Sequence, residues 1–226
     1  MRYKDVRTAK FLSRPNRFIA CIEIAGRQEI CHVKNTGRCR ELLTPDAQVI
    51  VQEVNSNNRK TKYDLIGVYK GNRLINIDSQ VPNKVFHEWL LRNKFIPEIK
   101  FIKPECAYNR SRFDFYIETG LRKIFVEVKG VTLETNGVAL FPDAPTERGL
   151  KHINDLCQCL HEGNEAYLVF IIQMKDVRYF APNYKTHRAF GEALRNADRQ
   201  GVKIMALDCE VAGDSITALD FVEVRL

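Results

Sequence analysis

The sequence predicts two domains: a small Greek-key β-barrel of the OB type over residues 1–80, then a mixed, helix-covered α/β sheet over residues 81–226. Three observations carry this reading. Short β-rich stretches separated by turn signals fill the first third. Strand, helix and strand alternate around an apolar run in the remainder. The basic excess of the chain also ends where the first pattern gives way to the second.

In the first domain, strands are expected at 17–25 (RFIACIEIA), 27–33, 47–54 (AQVIVQEV), 63–70 and 72–78. Ala25-Gly26 and Gly71-Asn72 supply turns, and Asn35-Thr36-Gly37 opens a short helical insertion that ends before Pro45. Five short strands in about 80 residues match an OB barrel, a frequent nucleic-acid binder. Val81-Pro82-Asn83 marks the break between domains. Asn83 is expected to cap a helix reaching Asn93, with Val85, Trp89 and Leu90 as its apolar stripe.

Strands at 111–118 and 123–131 follow, then a helix over 146–161 with Leu150, Ile153, Cys157 and Leu160 at helical spacing. A buried strand (Tyr167 to Gln173), a helix over 183–200 ending at Gly201 and a strand (Val202 to Asp208) complete a right-handed parallel crossover. The longest apolar run, Ala166 to Ile172 with only Tyr167 interrupting, falls short of the ~18 residues a membrane helix needs. The basic N-terminus lacks the apolar stretch of an export signal, so a cytoplasmic protein without a membrane partner is expected. None of the 7 cysteines forms a CxxC knuckle; zinc is not expected, and reduced thiols suit that compartment.

Residues 1–80 hold 15 Lys and Arg against 8 Asp and Glu, whereas residues 81–226 hold 20 of each, so the whole net charge of +7 sits in the first domain. That segregation points to a polyanion, here DNA, double- or single-stranded. The DNA-contacting candidates are Arg14, Arg17, Lys34, Arg38, Arg59 and Lys60, joined by Arg148 and Lys151 on the helix over 146–161.

The strand SRFDFYIET alternates, placing Arg112, Asp114, Tyr116 and Glu118 on one face and Phe113, Phe115 and Ile117 on the other. On the next strand, Phe125, Glu127 and Lys129 share a face. A turn centred on Gly120-Leu121 sets Asp114 opposite Glu127 and Arg112 opposite Lys129. Facing carboxylates repel unless a cation lies between them, and a hard ion, Mg²⁺ or Mn²⁺, can take an oxygen from each and fill its other positions with water and phosphate. Asp114, Glu127 and Lys129 are therefore the catalytic candidates. Asp114 and Glu127, with Glu88 on the preceding helix, are the candidate metal ligands. Glu-x-Lys on a strand is common by itself; the Asp at hairpin-compatible spacing is what adds weight.

The stretches Ser111-Arg112-Phe113-Asp114-Phe115, Val126 to Leu133 and FPDAPTERGLKH (141–152), with Asn35-Thr36-Gly37, Arg59-Lys60, Tyr63 and Val81-Pro82-Asn83, resemble the sugar fermentation stimulation protein A family across nearly the whole chain. Arg38-Cys39 and Asn58 depart from that family's pattern. The resemblance implies an OB-like domain followed by a PD-(D/E)XK restriction-endonuclease-like domain, sequence-nonspecific DNA binding and a link to regulation of sugar (maltose) metabolism. It places Asp114, Glu127 and Lys129 in the nuclease pattern and Glu88 at a helical acid position. The functional expectation is DNA binding with a Mg²⁺-dependent phosphodiesterase site; the alternative is a non-catalytic DNA-binding regulator that uses the nuclease fold as scaffold. A homodimer is compatible with the sequence, which does not fix the oligomeric state.

Overall fold

The computed structural model describes residues 1–35, 37–54, 59–109 and 111–226, so Thr36 and Asn58 lie outside the described residues. The first domain contains β1 (Val6–Ser13), β2 (Ile19–Ile24), β3 (Arg27–Val33), β4 (Gln48–Glu53), β5 (Tyr63–Lys70) and β6 (Arg73–Asn76). β1 pairs with β2, β2 with β3, β3 in parallel with β5, β5 with β4, and β4 returns to β1, which closes a five-stranded barrel. Ala9 and Phe11 of β1, Ala20 and Ile22 of β2, and Cys31 and Val33 of β3 alternate into its core.

The fifth barrel strand differs from expectation. It is β1, which in the sequence stands out only as a basic cluster; its exposed Arg7, Thr8 and Lys10 leave Ala9 and Phe11 as its buried residues. The expected strand at 72–78 is the shorter β6, which extends β5 outside the closure. The expected insertion at 35–45 forms no helix among the described residues: Leu42 and Leu43 N–H both donate to the Cys39 carbonyl, a single turn.

Beyond the barrel come α1 (Pro82–Asn93), β7 (Phe101–Tyr108), β8 (Ser111–Glu118), β9 (Lys123–Val131), β10 (Leu133–Thr135), β11 (Val138–Phe141), α2 (Glu147–His161), β12 (Glu165–Ile172), β13 (Tyr179–Pro182), α3 (Arg188–Gln200), β14 (Lys203–Ala212) and β15 (Ser215–Phe221). The main sheet has the order β15-β14-β12-β9-β8-β7, with β9, β12 and β14 parallel and the outer strands antiparallel. β12 is buried on both faces. Its Leu168, Phe170 and Ile172 meet Ile153 and Leu156 of α2 and Phe190 and Leu194 of α3 in one core. Its Tyr167, Val169 and Ile171 meet Val85, Phe86 and Trp89 of α1 in the other. Among the described residues, no helix is long and apolar enough to cross a membrane.

Polar contacts fix the barrel against the second domain. Glu134 of β10, 7% exposed, accepts from Lys70 at 2.7 Å and faces Arg73 at 3.4 Å. Gln173, at the end of β12, donates to Asn76 Oδ1 at 2.8 Å and to the Asp78 carbonyl at 3.0 Å. The linker between the domains is pinned where Ser79 N–H reaches the Lys34 carbonyl at 3.2 Å.

Candidate metal and phosphate site

β8 and β9 pair in the register set by the Gly120-Leu121 turn, from Glu118↔Lys123 to Phe115↔Val126, and then part. On the other side of β8, Pro104↔Phe115 and Cys106↔Phe113 bracket Glu105, whose φ is +53°. The side-chain alternation breaks at this irregularity, which corrects the expected faces. Phe115 packs on Phe86 at the α1 side, with ring centroids 5.6 Å apart. Phe113 instead crosses to the α2 side and packs on Phe125, at the same centroid distance of 5.6 Å.

Asp114 thus sits in the fork between the strands. Its Oδ2 accepts the Val128 N–H at 2.7 Å, where the ladder would otherwise have continued, and its Oδ1 accepts from Asn83 Nδ2 at 2.7 Å. Asn83 is not the helix cap: Val81 holds that position and Pro82 the first turn, which leaves the Asn83 amide for Asp114.

Glu127, 2% exposed, lies across the fork. Its Oε1 accepts from Lys129 Nζ and contacts His152 Nδ1 of α2. Its Oε2 and Arg14 Nε are the two buried side-chain polar atoms without a hydrogen-bond partner among the described residues. The two carboxyls respond differently to burial. For Asp114, burial and then the charge of Glu127 push the pKa up to about 6, against its two hydrogen bonds. For Glu127, burial also raises the pKa, but the hydrogen bond with His152 and the charge and hydrogen bond of Lys129 outweigh it and hold the carboxyl below its usual range.

A cavity of about 400 Å³ opens over this pair, lined also by Asn83, Lys129, Thr146 and Arg148. Thr146 caps α2 by accepting the Gly149 N–H at 2.9 Å, so the positive end of that helix faces the same space. The donor set fits a hard divalent ion: two hard carboxylates, one with an unpartnered buried oxygen, and room for water. Among the described residues no three His, Cys, Asp or Glu side chains converge as a metal cage. A larger cavity of about 630 Å³, beside the β5–β6 hairpin, is lined by charges already paired, Lys70 and Arg73 on Glu134 and Lys175 on Glu210.

Glu88 is not brought to the pair. Its carboxylate accepts from the Met1 amino group at 2.6 Å, and that amino group also donates to the Ile216 carbonyl of β15 at 2.9 Å. Of the basic candidates, Arg148 reaches the cavity and Lys151 lies exposed on α2. Lys34, Arg59 and Lys60 line another cavity of about 530 Å³ with His32 and Asp64; Gln80 borders this cavity and the one over Asp114 and Glu127. There Lys34 pairs with Asp78 at 2.7 Å and Arg59 with Asp64, so only part of their charge remains for a ligand. Arg17 and Arg38 line a smaller recess of about 300 Å³. Arg14 is spent on structure, since its guanidinium donates to the carbonyls of Arg17, Asn35, Gly37 and Arg38.

Sequence reading does not bring Asn83 or His152 to the acidic pair, where Asn83 holds Asp114 and His152 contacts Glu127. In the sequence His152 stands beside Lys151 and one helical turn from Arg148, which suggests the outer side of α2, yet it is 4% exposed. Its spacing was the available signal: Gly149, His152, Ile153 and Leu156 recur at helical intervals on the buried face.

Comparison with known proteins agrees with this architecture. Residues 80–215 match the family described as "Sugar fermentation stimulation protein RE domain", and residues 12–77 match "SfsA N-terminal OB domain". The chain is similar to proteins named sugar fermentation stimulation protein homolog in Desulfitobacterium hafniense (strain Y51) and Clostridium beijerinckii. The first is 68% identical over 226 residues, covering 100% of this chain and 99% of the relative. The second is 56% identical and covers 100% of both. A solved structure described as Pyrococcus furiosus SfsA in complex with Ca²⁺ superposes with a TM-score of 0.91 at 30% identity, covering 100% of this chain and 98% of that one.

Proposed function

The chain belongs to the sugar fermentation stimulation protein family, and from that premise we propose that it binds DNA and hydrolyses phosphodiesters with a divalent cation held by Asp114 and Glu127. The observation that carries the proposal is the unpartnered, buried Glu127 Oε2 beside Asp114 and Lys129. An atom so placed costs about 1–3 kcal/mol unless a ligand satisfies it. The Ca²⁺ described for the Pyrococcus furiosus relative supports a divalent-ion reading.

When bound, a Mg²⁺ or Mn²⁺ ion would polarise the phosphodiester and acidify water. Asn83 and the Val128 N–H hold Asp114 in place, and His152 and Lys129 hold Glu127. Lys129 orients the attacking water and balances negative charge building on the phosphoryl oxygens. Arg148 and the N-terminus of α2 attract the phosphate. Lys34, Arg59, Lys60, Arg17 and Arg38 bind the backbone of DNA outside the reacting centre. A role in sugar metabolism would then act through DNA.

Plasmid nicking and single-strand cleavage in Mg²⁺ or Mn²⁺ test this. Cleavage strongly reduced by Lys129→Ala is expected; no cleavage by the wild-type chain, or equal cleavage by the variant, refutes catalysis. A second reading, a non-catalytic DNA-binding scaffold, draws on the ion pair between Lys129 and Glu127, which gives both groups a partner without an ion. It requires salt-dependent DNA binding that is indifferent to chelator and to Asp114→Asn.

A further inference from the structure

His152 is buried at the first turns of α2, and each of its ring nitrogens has one partner of fixed character. Nδ1 contacts Glu127 Oε1, a carboxylate oxygen that can only accept. Nε2 lies 3.4 Å from Arg148 Nε, a guanidinium nitrogen that can only donate. A proton on Nε2 would set two donors against each other, whereas a proton on Nδ1 satisfies both contacts. The geometry therefore assigns His152 as the neutral Nδ1–H tautomer, acting as a positioning residue for Glu127.

What this positioning accomplishes follows from the carboxylate. His152 and Lys129 both engage Oε1, which leaves the other oxygen, Oε2, buried and unpartnered in a residue that lines the cavity together with Asp114. Without the Nδ1–H donor, Glu127 is held by the flexible Lys129 alone, and Oε2 loses its fixed orientation. Residues that orient a metal-ligating carboxylate act on affinity for the ion, which separates this role from simple core packing. The inference rests on the reading that Glu127 ligates the cation. Arg148 adds a link outward: with Nε on His152, its remaining guanidinium donors stay available to a phosphate, so a substrate anion and the cation-binding acid share one chain of contacts.

Two measurements on the full chain decide it. The first is the ¹H–¹⁵N long-range spectrum of the histidine rings, which separates the two neutral tautomers without any ligand; a single Nδ1–H form for His152 is expected. The second is Mn²⁺ titration by calorimetry for wild type, His152→Ala, His152→Asn and His152→Gln. Asn places an amide donor near the Nδ1 position and Gln places one near Nε2. Ala and Gln should weaken Mn²⁺ about 10- to 100-fold while Asn stays within about threefold of wild type. Should the Ala variant fail to fold, the Asn and Gln pair carries the comparison. An Nε2–H tautomer, or Mn²⁺ affinity unchanged in Gln, overturns the assignment. If wild type binds no Mn²⁺, the cation reading fails by itself, and the tautomer alone decides whether His152 positions Glu127.

Discussion

Replacing Asp114 with Asn should make the chain more stable when no divalent ion is present. The Asp114 carboxyl is raised from 3.8 to about 6, first by burial and then by the charge of Glu127. Its protonated form is therefore the one that folding favours. This contribution to stability is fully present below pH 3.8 and is lost as pH rises through about 6. At pH 8, keeping the carboxylate ionised in the native state costs about 3 kcal/mol. Asn retains the shape and removes the charge. Both oxygens of Asp114 now accept N–H donors, so one of them must become an amide nitrogen; rotation of the Asn83 amide supplies an oxygen to meet it. A residual loss of about 1 kcal/mol leaves Asp114→Asn ahead by about 2 kcal/mol.

The assay is urea unfolding of both proteins in chelator between pH 4 and pH 8, then at pH 8 with Mg²⁺ or Mn²⁺. The advantage of the variant should grow as pH rises through 6. Added cation should stabilise only the wild type, by about 2.7 kcal/mol at a hundredfold excess over its dissociation constant, which closes the gap. A variant no more stable than wild type in chelator at pH 8, or a difference that does not change with pH, would refute the claim that burial and the charge of Glu127 raise the Asp114 carboxyl.

Four further outcomes follow from the same geometry. Lys129→Ala should lower any cleavage rate by about 10²- to 10⁴-fold, with DNA retention by gel shift nearly unchanged. Neutralising Lys34, Arg59 and Lys60 together should make the salt dependence of DNA affinity shallower, by about one in slope for each phosphate that goes unneutralised, measured by fluorescence anisotropy; an unchanged slope would remove that cavity from the DNA surface. Glu134→Gln should cost about 1–2 kcal/mol at pH 7 by denaturant unfolding. Burial raises the Glu134 carboxyl, but Lys70, the Gly137 N–H and Arg73 outweigh it and hold the carboxyl below 4.5, so its contribution is present above pH 4.5 and lost as pH falls through the lower native value. Gly130→Ala would set a Cβ 2.5 Å from Gln173 Oε1 and 2.8 Å from Pro82 Cγ, and a loss of about 1–3 kcal/mol is expected by urea denaturation.

The parts of this fold that were legible in the sequence are those whose cause is local. β2 and β3 alternate and are joined by Ala25-Gly26, whose φ values of +51° and +74° are those a tight hairpin turn requires, so hairpin and register follow from adjacent residues. The apolar run of β12 announces a strand covered on both faces because each side chain finds an apolar partner whichever way it points. β1 was illegible for the converse reason. Its membership of the barrel depends on β4, some forty residues away, and two inward side chains make too weak a pattern to show it.

The site divides in the same way. That Asp114 and Glu127 come near each other could be reached from the turn, since the ladder keeps its register from Glu118↔Lys123 to Phe115↔Val126, one residue short of the two acids. The fork itself could not, because it arises where Glu105 on a third strand adopts a positive φ and β8 leaves β9. That non-local break lets the Asp114 side chain occupy the gap in the ladder and bind the Val128 N–H in place of a backbone carbonyl. The irregularity thus brings a raised carboxyl beside a lowered one, and on the reading that the pair holds a cation, the ion would relieve the repulsion that contributes to raising Asp114.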